Sequence, residues 1–227
     1  MIINKFPYQK ISRKTINGVR LYSCPNGDKL PSVTTILSIT TPKEKQIALE
    51  NWRKRVGHQK AATITREAAC RGTSMHSFLE FYMKNGELDK PNEQSIQSFD
   101  MANQIIKFSL SNVKEFYGTE IGLYYPELYA GTADTIYLQD DEIILGDFKQ
   151  SNKVKNKEWI DSYFMQLAAY IEAHDTVYNT QIKKGKIMMC TPMLEYQQWI
   201  IEGTELQKYK DLWWERVYQY YDKILGG

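Results

Sequence analysis

Gly131-Thr132-Ala133-Asp134, Gln139-Asp140-Asp141-Glu142 and Gly146-Asp147-Phe148-Lys149 read together as two strands joined by an acidic turn. With the turn centred between Asp140 and Asp141, opposed positions carry residue numbers that sum to 281, so Asp134 falls opposite Asp147. Strand alternation puts Lys149 beside Asp147 on the same face. Two facing carboxylates repel and destabilise a sheet unless positive charge lies between them. A divalent cation with a neighbouring lysine resolves that conflict. The alternative is a pair of aspartates at strand ends that face water. Against it, Asp147-x-Lys149 is the only place in the chain where an acid precedes a lysine by two positions, and the apolar run Ile143-Ile144-Leu145 leads into it.

Outward from this hairpin, residues 113–125 and 128–149 read as strands, 158–174 as a helix, 185–190 and 195–201 as strands, and 205–221 as an amphipathic helix. Upstream, Asn17-Gly18 and Pro25-Asn26-Gly27-Asp28 mark turns of a small hairpin. Helical spacing runs from Pro42 to about Asn85, with joints expected at Gly57 and Gly72, and again from Glu93 to about Leu110. The expected architecture is α/β (α+β), a central mixed sheet flanked by helices. One domain is expected over 1–227, mainly helical in 1–112 and with the catalytic αβ core in 113–227.

Composition narrows the function classes. Hydrophobic residues make up 42% and charged residues 25% of the 227, ordinary for a soluble domain. No apolar run has the length of a membrane span and no leader pattern opens the chain, so a cytoplasmic protein is expected, in a bacterial or phage-infected cell. Cys24, Cys70 and Cys190 lack metal spacing and are too few for an iron–sulfur cluster. The net charge of +2 gives no global signal for nucleic acid, although Trp52-Arg53-Lys54-Arg55 and Lys153-Val154-Lys155-Asn156-Lys157 are locally basic. No P-loop pattern, GxxxxGK followed by Ser or Thr, occurs, so ATP is not expected as a partner.

Several motifs occur in a fixed order. Pro31-Ser32-Val33-Thr34-Thr35-Ile36-Leu37 comes first, with Trp52 further on, then Arg71-Gly72-Thr73-Ser74-Met75-His76-Ser77-Phe78-Leu79-Glu80. After these come Gly131 to Asp134, Asp147-Phe148-Lys149-Gln150-Ser151, and Gln166-Leu167-Ala168-Ala169-Tyr170. This series resembles the RecB-like exonucleases of the PD-(D/E)xK superfamily, and its entry region resembles the mitochondrial genome maintenance exonuclease family and its phage relatives. It spans roughly residues 31–170. Gln150 stands where the family usually has Thr, and Ala133 where a proline often precedes the first aspartate.

The resemblance implies a restriction-endonuclease-like core and a metal-dependent deoxyribonuclease active in DNA replication, repair or recombination. Asp134, Asp147 and Lys149 would be catalytic. His76, Asp134, Asp147 and the Phe148 carbonyl would hold Mg²⁺ or Mn²⁺, a ligand set that suits a hard cation, with the imidazole favouring Mn²⁺. Read without the Arg71-Gly72-Thr73 context, His76 is preferably a helix-buried histidine bonded to backbone. Gln166, Tyr170, Arg71 and Ser151 would contact nucleic acid. Glu80, one turn after His76, orients that histidine, binds metal through water, or is a surface carboxylate. Glu120 is a minor candidate for support. The long helical segment 42–110 would roof the site, so that single-stranded DNA enters by a free end. The rival readings are a structure-selective endonuclease of the same fold and a non-catalytic nucleic-acid-binding domain.

Overall fold

The computed structural model describes residues 1–16 and 19–226; the turn expected at Asn17-Gly18 lies outside the described residues. From the N-terminus, β1 (Ser12–Ile16), β2 (Val19–Ser23) and β3 (Lys29–Pro31) form a small antiparallel sheet. Four helices follow: α1 (Val33–Ile39), α2 (Lys43–Val56), α3 (His58–Asn85) and α4 (Ile96–Ile105). Then come β4 (Glu115–Tyr125), β5 (Tyr129–Gln139), β6 (Glu142–Gln150), α5 (Asp161–Tyr178), β7 (Lys184–Cys190), β8 (Tyr196–Glu202) and α6 (Gly203–Leu225). The second sheet has the order β4-β5-β6-β7-β8 and is antiparallel except between β6 and β7. That parallel pair needs a crossover, and α5 supplies it. The α/β class with a mixed sheet between helices is the fold found.

Two apolar clusters show why the chain layers this way. One face of the large sheet packs Val33 and Ile36 of α1, Phe164 and Leu167 of α5 and Trp213 of α6 against Leu145 and Ile187. The other packs Met75 and Leu79 of α3 and Met101 and Ile105 of α4 against Ile144, Phe148 and Met188. Alternation along β6 therefore sends Ile144 and Phe148 toward α3, and Leu145, Asp147 and Lys149 toward α5.

Local chemistry sets the joints. Ser32 caps α1, its Oγ accepting the Thr35 N–H at 2.9 Å. Gly57, at φ +87°, separates α2 from α3. Gly72 does not mark a joint, because α3 runs unbroken through it: one glycine costs about 1 kcal/mol of propensity, which the buried face of Met75, Phe78, Leu79 and Met83 outweighs. The segment expected as one helix from Glu93 becomes α4 followed by a π-helical turn at Ile106–Leu110.

The acidic hairpin has the expected register, and the register stops short. Pairs from Gln139–Glu142 to Thr135–Gly146 all obey the sum of 281. Asp140 and Asp141 take φ values of 52° and 61°, matching a two-residue hairpin turn. Asp134 and Asp147, however, are not paired. Ala133 and Ile136 pack into the same cluster although they are three positions apart, so β5 turns over near Asp134 instead of alternating strictly. The strands part there, and the Asp134 carboxylate takes the place of a backbone acceptor: its Oδ2 accepts the Phe148 N–H at 2.6 Å.

Candidate active site

Where β5 and β6 part, α3 approaches from one side of the sheet and α5 from the other. His76 of α3 lies near the Phe148 carbonyl, with Nε2 to oxygen 3.0 Å. A carbonyl only accepts, so Nε2 carries a hydrogen, and in the neutral ring Nδ1 keeps its lone pair. Nδ1 faces Asp134 Oδ1 at 3.6 Å and Glu120 Oε1 at 3.9 Å. One donor atom from each of these three residues falls within 4.8 Å of the others. Donors about 2.1 Å from one cation sit roughly 3–4 Å apart, and the 3.6 and 3.9 Å spacings of Nδ1 fall in that range.

Glu120 reaches this cluster through an unusual backbone. Its φ is 49° in the middle of β4, a conformation that a non-glycine residue adopts at a cost of about 1–3 kcal/mol. Its side chain is the exposed member of the trio, Asp134 being only 12% exposed. Burial works against the imidazolium of His76, but the Asp134 and Glu120 carboxylates outweigh it and push the pKa up to about 9, so a cation at Nδ1 would take the place of a proton. The Asp134 and Glu120 carboxylates thus converge on His76.

Asp147 sits behind this cluster, 1% exposed. Its Oδ2 meets the Lys149 ammonium, and its Oδ1 has no hydrogen-bond partner among the described residues. A buried carboxylate oxygen without a partner is costly, and a cation relieves that cost. Burial raises the Asp147 pKa, with Lys149 opposing and Asp134 adding to the rise. For Lys149, burial lowers the pKa, but Asp147 and Asp134 more than offset it, and the lysine stays charged. The ammonium also lies over the Tyr163 ring, 5.1 Å from its centroid.

Gln166 and Tyr170 face this region from α5, joined by a 3.2 Å bond from Gln166 Nε2 to the Tyr170 hydroxyl. The Tyr170 ring lies so close to β5 that a Cβ at Gly131 would meet it at 2.6 Å. Gly131 and Tyr170, far apart in sequence, are thus two halves of one contact. The other expected DNA contacts are engaged within the protein. Arg71 donates to Gln150 Oε1 at 2.8 Å and to Asn152 Oδ1, tying α3 to the end of β6. The Ser151 hydroxyl donates to the Lys153 carbonyl at 2.7 Å. Glu80 pairs with Lys84 one turn on, outside the trio. Tyr163 escaped the sequence reading, although it lies three and seven positions before Gln166 and Tyr170 and so on their helix face.

The mixed sheet thus brings the parted hairpin and the acid–lysine pair together between α3 and α5. The chain is 30% identical over 173 residues to mitochondrial genome maintenance exonuclease 1 of Xenopus tropicalis, a match covering 70% of this chain and 48% of that one. It is 26% identical over 170 residues to the Homo sapiens protein of the same name, again covering 70% and 48%. The chain spans about half the length of the curated relatives it matches. A protein from Eubacterium rectale, provisionally described as an exonuclease, shares the fold at a TM-score of 0.50 and 16% identity, covering 70% of this chain and 66% of that one. No family profile matches the chain. With the fold, the curated relatives support the RecB-like nuclease family for this chain.

The trio makes a prediction that separates ligand from core histidine. His76→Ala is expected to raise the Mn²⁺ concentration for half-maximal DNA cleavage by roughly tenfold or more, with little change in melting temperature without metal. A lower melting temperature with unchanged metal dependence would show a structural histidine instead.

Proposed function

We propose that this chain is a metal-dependent DNA exonuclease that degrades single-stranded DNA from a free end. The observation that carries the reading is the convergence of His76, Glu120 and Asp134 beside the buried Asp147–Lys149 pair. The name of the curated relatives supports the exonuclease class.

The residues divide the work. His76 Nδ1, Asp134 and Glu120 would hold Mg²⁺ or Mn²⁺, with Asp147 completing its charge balance. A bound divalent cation supplies Lewis-acid polarisation of the phosphate and makes water a nucleophile at neutral pH. Lys149, held by Asp147 and the Tyr163 ring, orients the attacking water and offsets charge growing on the phosphate oxygens. Gln166 and Tyr170 position the strand. The Phe148 N–H and carbonyl, bonded to Asp134 and His76, keep the donors in register before substrate arrives.

Contact with a DNA strand is supported by α2. None of its 14 residues is buried, and Arg53, Lys54 and Arg55 stand in its last turn. A helix with no fully buried residue that displays cations suits contact with a passing phosphate backbone. No helix among the described residues is long and apolar enough to cross a membrane.

The test is digestion of end-labelled linear and closed circular single-stranded DNA with Mg²⁺, with Mn²⁺ and with chelator. Linear DNA should be degraded only with metal, and circles should survive. Circles cut as fast as linear strands would make the protein an endonuclease, and activity in chelator would remove the metal from the mechanism.

A further inference from the structure

A cavity of about 410 Å³ opens beside the metal-binding trio, lined by Gly72, Thr73, His76, Ser77 and Glu80 of α3, by Glu120 of β4, and by Arg13 of β1. Arg13 comes from the N-terminal sheet, to which the reading above gives no role. Its guanidinium has neither an ion pair nor a hydrogen bond among the described residues, while both carboxylates of the lining have partners within 4 Å: Lys84 for Glu80, and His76 for Glu120. Arg13 is exposed, and its five N–H donors at the edge of this cavity suit a planar or tetrahedral oxyanion.

The sheet that carries Arg13 docks on β5 through β2 and β3, while β1 itself is exposed. Arg13 is paired across the strands with Tyr22, so the two side chains share a face. Tyr22 is 3% exposed and reaches the Thr132 hydroxyl on β5 at 3.3 Å, one strand position short of the Ala133-Asp134 step. Below it, Ile11 presses on Gly122 of β4 so closely that a Cβ there would meet its side chain at 2.5 Å. With Tyr22 locked against β5, Arg13 is turned toward the cleft, whereas Ser12 and Lys14 alternate away from it. The cavity reaches His76 and Glu120 but neither Lys149 nor Tyr163. An oxyanion held by Arg13 is therefore not the one that Lys149 serves.

We infer that Arg13 binds the phosphate next to the scissile one, making the N-terminal sheet a wall of the DNA path. The inference rests on the nuclease reading above. A phosphate approaching this cavity meets Glu120 and Glu80; the cation and Lys84 neutralise them, and Arg13 supplies the attraction.

The experiment measures Mn²⁺-dependent digestion and anisotropy binding of a fluorescent oligothymidylate across a range of NaCl, for wild type, Arg13→Gln and Arg13→Lys. Arg13→Gln should raise KM roughly tenfold with kcat little changed. It should also flatten the salt dependence of kcat/KM by about 0.7 in log–log slope, the loss of one single-strand phosphate contact. Arg13→Lys should restore the slope, since charge alone displaces the counterion. The half-saturating Mn²⁺ should not move in either variant. An Arg13→Gln protein with wild-type KM and slope, beside a wild type that cuts DNA, overturns the Arg13 role and leaves the nuclease reading standing. Tighter Mn²⁺ binding with an unchanged slope overturns it too, making Arg13 a balance for the carboxylates. A wild type that neither binds nor cuts DNA removes both readings.

Discussion

Asp134→Ala and Asp147→Ala should each lower metal-dependent DNA cleavage by on the order of a thousandfold or more, with the fold retained. Metal-assisted stabilisation of a reacting phosphate is worth several kcal/mol, and about 4 kcal/mol corresponds to that factor. The two variants should fail differently. Asp134 holds the trio together: one oxygen faces His76 Nδ1 at 3.6 Å and the other receives the Phe148 N–H. Its loss removes a donor and frees the β6 backbone, so rising Mn²⁺ should recover little activity. Asp147 lies behind the trio and holds Lys149. Its loss leaves His76, Glu120 and Asp134 together, so metal binding should weaken less than turnover. Turnover is compared at saturating Mn²⁺, with metal affinity from calorimetry and circular dichroism to verify the fold. An Asp147→Ala protein that keeps a tenth of wild-type turnover would remove Asp147 from the catalytic centre.

The sequence made the hairpin legible because a two-residue turn fixes the register and every pair back to Thr135–Gly146 follows from it. It did not reveal that pairing ends one step before the aspartates. The cause is tertiary: the Asp134 carboxylate replaces a strand acceptor, and nothing in the local pattern announces a side chain in that role. Gly72 shows the opposite error, a helix breaker overruled by the buried face that flanks it. Gln166 and Tyr170 were legible through helical spacing, and the same spacing would have given Tyr163. Glu120 was visible only as an acid on a strand, since its positive φ, which turns it toward His76, arises from the surrounding sheet. Arg13 gave no signal. Its position depends on a small sheet docking against β5 about 120 residues away in sequence, and no periodicity encodes that contact.

Lys149→Met should destabilise the metal-free protein by about 3–5 kcal/mol at pH 8, because it leaves the Asp147 charge buried without a counterion. For a chain of this length that is a fall of roughly 10 °C in melting temperature. The pH dependence has a definite sign. Burial already raises the Asp147 pKa in the presence of Lys149, and removing the ammonium raises it further. The folded variant then holds a proton that the unfolded chain gives up near the ordinary carboxylate pKa of about 4. Its stability is therefore fully present below that pH and declines as pH rises toward the raised folded value. Lowering the pH from 8 toward 5 should thus recover part of the loss. Asp147→Asn in the Lys149→Met background removes the charge and should restore most of the stability at pH 8, giving a coupling energy of opposite sign to the single loss. Neither variant regains catalysis, so the cycle reports on the buried pair alone. Chelator-treated Lys149→Met protein that melts within about 0.5 kcal/mol of wild type at pH 8 would show that water reaches Asp147. The carboxylate would then need neither a lysine nor a metal to balance it, and the strongest physical reason for placing a cation beside it would be gone.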